Sequence, residues 1–71
     1  MDIKEVLKEL NFINNKSSNG YTQHINIELN RIISFTEEKM TIFDHQYYIK
    51  YDGKIPEDII FLIKLIENTN G

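Results

Sequence analysis

The stretch IISFTEEKMTIFDHQYYIKYDG, Ile32 to Gly53, decides the fold. Much of it alternates with period two, the signature of a half-buried strand whose successive side chains point to opposite faces. Cross-strand pairs test that reading. A turn at Glu37-Glu38 sets Phe35 opposite Met40, Ser34 opposite Thr41 and Ile33 opposite Ile42. A second turn at Asp44-His45 sets Ile42 opposite Tyr47, Thr41 opposite Tyr48 and Met40 opposite Ile49. One face then collects Ile33, Phe35, Met40, Ile42, Tyr47, Ile49 and Tyr51, and the other Ile32, Ser34, Thr41, Phe43, Gln46, Tyr48 and Lys50. A slip by one residue mixes the two sets, so the pattern itself supports the pairing. Neither turn dipeptide is a favoured two-residue hairpin loop, which leaves room for longer turns.

Upstream, His24, Asn26 and Glu28 alternate with Ile25, Ile27 and Leu29. A loop at Leu29-Asn30-Arg31 pairs Ile27 with Ile33 and Ile25 with Phe35, which keeps these isoleucines on the apolar face and leaves His24 exposed. The rival is a helix through Asn26 to Met40, because Leu29, Ile32, Ile33 and Thr36 also fit helical spacing. Whether the segment Gln23 to Leu29 joins the sheet is therefore the open point of the topology. Before it, residues 14–20, NNKSSNG, are small or polar without periodicity and read as a mobile connecting loop.

Helices are expected at both ends. Asp2 with Glu5 three residues later resembles a capping box, and Ile3, Val6, Leu7 and Leu10 then share one face of a helix from Asp2 to about Asn11. Near the other end, Pro56 suits a first helical position and Glu57-Asp58 favours the dipole of a helix running to about Asn68. Ile59, Leu62, Ile63 and Ile66 form its main stripe, while Phe61 and Leu65 form a second that one sheet face does not need. The expected fold is α+β: one domain over residues 1–71, a helix, an antiparallel meander of three to four strands and a closing helix, with both helices on one sheet face.

Composition narrows the function. The chain has 71 residues, no cysteine and a net charge of −3. A domain this small buries only about 60% of its unfolded surface, and here no disulfide or thiolate-bound metal supplements the core. The N-terminus alternates acid and base without the apolar stretch of a secretory signal, and the longest apolar run, Ile59 to Ile63, is far short of a membrane span. A cytoplasmic protein is expected. Its acidic balance opposes binding to phosphate backbones.

Chemistry-bearing patterns are sparse. His24 and His45 lack the short spacing of a metal site, and no serine sits in a glycine-flanked elbow. The carboxylate pairs Glu37-Glu38 and Glu57-Asp58 occupy solvated positions unsuited to acid–base work. No catalytic activity, cofactor or metal is expected. What remains are two leftover apolar surfaces, Ile32, Phe43 and Tyr48 with Lys50 on the second sheet face, and Phe61 with Leu65 on the last helix. Such patches mark interfaces with proteins, self-association being the simplest use. The alternative is stacking of single-stranded nucleic acid on Phe43 and Tyr48 beside Lys50. By profile alone, being small, acidic, cysteine-free and poor in sites, the chain looks like the inhibitors and adaptors that phages and mobile elements encode, some of which block host defence nucleases.

Overall fold

A computed structural model describes residues 2–18 and 21–67. The chain runs α1 (Ile3–Glu9), β1 (Ile13–Ser18), β2 (Tyr21–Asn26), β3 (Arg31–Phe35), β4 (Lys39–Phe43), β5 (Ile49–Lys54) and α2 (Ile59–Glu67). The strands form one antiparallel sheet in sequential order, with β3 at its centre. The α+β meander between two helices is as expected, with five strands rather than three or four. The additional strand is β1, in the polar segment expected to be a loop from 14 to 20; it pairs with β2 through a register irregularity between Asn14 and Lys16. Main-chain pairing suffices for an edge strand of low β-propensity once a hairpin partner is present. The remaining two positions of the expected loop, 19 and 20, lie outside the described residues.

The β3–β4 hairpin has the expected register: Phe35 faces Met40, Ser34 faces Thr41 and Ile33 faces Ile42. Thr36 closes it, its N–H donating to the Lys39 carbonyl at 2.9 Å and its Oγ1 accepting from the Lys39 N–H at 3.3 Å. The other two registers differ from expectation. Ile42 pairs with Tyr51 rather than Tyr47, because the connection from β4 to β5 spans Asp44 to Tyr48. Asp44 organises that longer turn by accepting from the backbone N–H groups of Gln46 (2.8 Å) and Tyr48 (3.0 Å). A bulge then sets Ile49 opposite Phe43. Tyr51 keeps its inward place against the core, whereas Tyr47 and Ile49, both expected inside, are exposed.

The β2–β3 register changes more. Ile25 pairs with Ile32 rather than Phe35, a displacement of an odd number of residues, and every side chain of β2 changes face as a result. The cause lies at Asn26. Its Oδ1 accepts from the Leu29 N–H at 3.0 Å, and its Nδ2 donates to the Leu10 carbonyl at 2.8 Å, so the same side chain starts a four-residue turn and caps the end of α1. Asn30 completes the turn in the left-handed region, φ 58°. Asparagine tolerates that conformation better than most residues. No helix forms between Asn26 and Met40.

The core lies between the helices and one sheet face: Val6 and Leu7 of α1, Leu62 and Ile66 of α2, and Ile33, Phe35, Met40 and Ile42 of the sheet, with Phe12. Asp2 caps α1 by accepting from the Lys4 N–H at 3.0 Å, and Asn11, φ 66°, ends it. Pro56 is not the first helical residue of α2. Asp58 caps the helix instead, accepting from the Ile60 N–H at 2.9 Å, because an aspartate side chain satisfies an N–H that proline can only omit. The end expected near Asn68 lies outside the described residues. Among the described residues no helix is long and apolar enough to cross a membrane.

Candidate functional site

Across the face turned away from the helices, directly paired residues form a continuous apolar rung. Ile13 pairs with Ile25, Ile25 with Ile32, Ile32 with Phe43, and Phe43 with Ile49, so all five strands contribute. Paired residues in antiparallel strands project from the same face, about 5 Å apart, which makes the rung one contiguous stripe. Its ends are open, Ile13 being 70% and Ile49 60% exposed, while the central Ile32 is buried. Ile25 and Phe43 are half-buried.

The stripe ends at a rim made by two turns. Ile27, 75% exposed, follows β2, and Tyr47 and Tyr48, also exposed, precede β5. The Phe43 and Tyr47 rings meet edge to face at 5.7 Å. Tyr47 has φ 65°, a conformation that costs a non-glycine residue of order 1 kcal/mol and persists where surroundings impose it. The His45 N–H donates to Asn30 Oδ1 at 3.0 Å and ties the two turns together. Burial pushes the Asp44 carboxyl up, but the N–H groups of Tyr48 and Gln46, with Lys50 and Arg31 nearby, hold it below its ordinary value. The turn carrying both tyrosines is therefore organised around an ionised carboxylate at neutral pH.

A second rung runs beside the first. The register aligns Lys16 with Gln23, Gln23 with Ser34, Ser34 with Thr41, and Thr41 with Asp52. Thr41 Oγ1 donates to Asp52 Oδ1 at 3.0 Å. The open face is thus apolar along one line and polar along the next, where Asn15 Nδ2 donates to Gln23 Oε1 at 2.9 Å and Asp52 stands at the β5 end.

Of the residues singled out in the sequence, Ile32 and Phe43 belong to the apolar rung, Tyr48 lies in its rim, and Lys50 is the half-buried residue passed over by the β5 bulge. Phe61 is half exposed on α2, and Leu65 packs partly against the core. These two belong to the helical layer across the sheet, so the structure does not join them to the rung. Ile13, Ile25 and Ile49 were missed. A signal for Ile25 exists in the asparagines at 26 and 30, which favour a turn starting directly after it.

His24, expected to be exposed, is buried and stacks on Phe35 with ring centroids 5.4 Å apart. Its Nδ1 has no hydrogen-bond partner among the described residues. Desolvation, followed by the charge of Lys4, lowers its pKa below the ordinary 6.5. Comparison with protein-family models, curated proteins and solved structures finds no match to the chain.

Proposed function

We infer that the protein is a non-catalytic binding module whose open sheet face docks on another protein, in the manner of an inhibitor or adaptor. The observation that carries this reading is the five-residue apolar rung on the sheet face that neither helix covers, exposed at its two ends, Ile13 and Ile49, and half-buried at Ile25 and Phe43. A small domain that covers one sheet face with two helices and leaves aliphatic side chains along the other exposes surface that water disfavours and a partner surface stabilises. Four of the rung's five side chains are isoleucine. Aliphatic surface suits a protein partner better than nucleic-acid bases, which stack on flat aromatic rings. The exposed tyrosines of the rim are of the type that anchors protein interfaces.

Ile49→Lys tests the reading, since the residue is exposed and its replacement leaves the helix-side core untouched. Affinity capture from the native host, run with the wild-type chain and this variant in parallel, is expected to lose the bound protein in the variant while circular dichroism stays unchanged. Equal capture by both chains would falsify the assignment of the binding face.

A further inference from the structure

We draw no further inference here: the strongest candidate, the apolar rung from Ile13 to Ile49 across the sheet face that neither helix covers, belongs to the site already described, and nothing in the structure shows what covers it.

Discussion

The two faces of the sheet divide polar and apolar residues against the usual expectation. The helix-covered face buries Thr22, His24, Asn26 and Arg31 alongside its isoleucines, while the uncovered face carries the apolar rung. The covered polar residues have an evident task. Asn26 and Arg31 are directly paired across β2 and β3. Asn26 donates to the Leu10 carbonyl at the end of α1, and the Arg31 Nε donates at 3.2 Å to the Ile66 carbonyl in the last turn of α2. The last carbonyls of a helix have no partner within it, and a guanidinium there also complements the dipole. One polar pair thus anchors both helices to the sheet by their C-terminal ends. With β2 committed to that register, Ile25 projects on the opposite face.

This contrast is most simply broken by truncating one residue on each face. Leu62 is fully buried in the core, and Leu62→Ala is expected to destabilise the monomer by about 3 kcal/mol in urea denaturation, through lost burial and the cavity left behind. Ile49→Ala on the open face is expected to cost the monomer under about 0.5 kcal/mol. Both are measured at concentrations low enough to suppress association. Comparable losses from the two variants would mean that the face described as open is part of the folded core.

Asn26→Ala probes the anchor itself and is expected to cost about 2 kcal/mol, since it orphans the Leu10 carbonyl and the Leu29 N–H together. Hydrogen exchange sharpens the result: protection is expected to fall first at the β2–β3 turn and the end of α1. A loss spread evenly over the sheet would instead assign Asn26 to general stability.

How far the sequence revealed these features depended on the range of the interactions involved. The β3–β4 hairpin was legible because its register is set by local alternation, with Phe35, Met40, Ile33 and Ile42 all agreeing on one face. Both helices were legible from their stripes, and α1 also from its cap at Asp2, whereas α2 starts at Ile59, later than Pro56 suggested. The β2 register was not, because alternation in Ile25, Ile27 and Leu29 says which residues share a face but not which face the core takes. That choice is made by the capping of helix ends by Asn26 and Arg31, 16 and 35 residues away along the chain. β1 was hidden for a related reason: Ile13 is its one apolar residue, so no alternation marks it, and the rest of its pairing with β2 is polar. The rung became visible only once both registers were known: Ile32 and Phe43 were found from the hairpin, and Ile13, Ile25 and Ile49 depended on β1, the β2 turn and the β5 bulge.

The smallest effect concerns His24, the one titratable side chain that the reversed register carries into the covered face. Burial against Phe35 and the positive charge of Lys4 disfavour its protonation, so its pKa in the folded chain lies below the 6.5 of an exposed imidazole. The unfolded chain then binds more protons between those two values. Stability from this group is fully present above about pH 6.5 and is lost as pH falls from there through the folded value. Asp44 has its pKa lowered from 3.8, so its contribution is present above that value and lost below it, in a separate and more acidic window. Urea midpoints of the wild-type chain are therefore expected to decline between pH 7 and 5, and those of His24→Phe to stay flat there while both fall below pH 4. An unchanged decline in the variant would place the titrating group elsewhere and return His24 to the solvent side, with Ile25 beneath the helices.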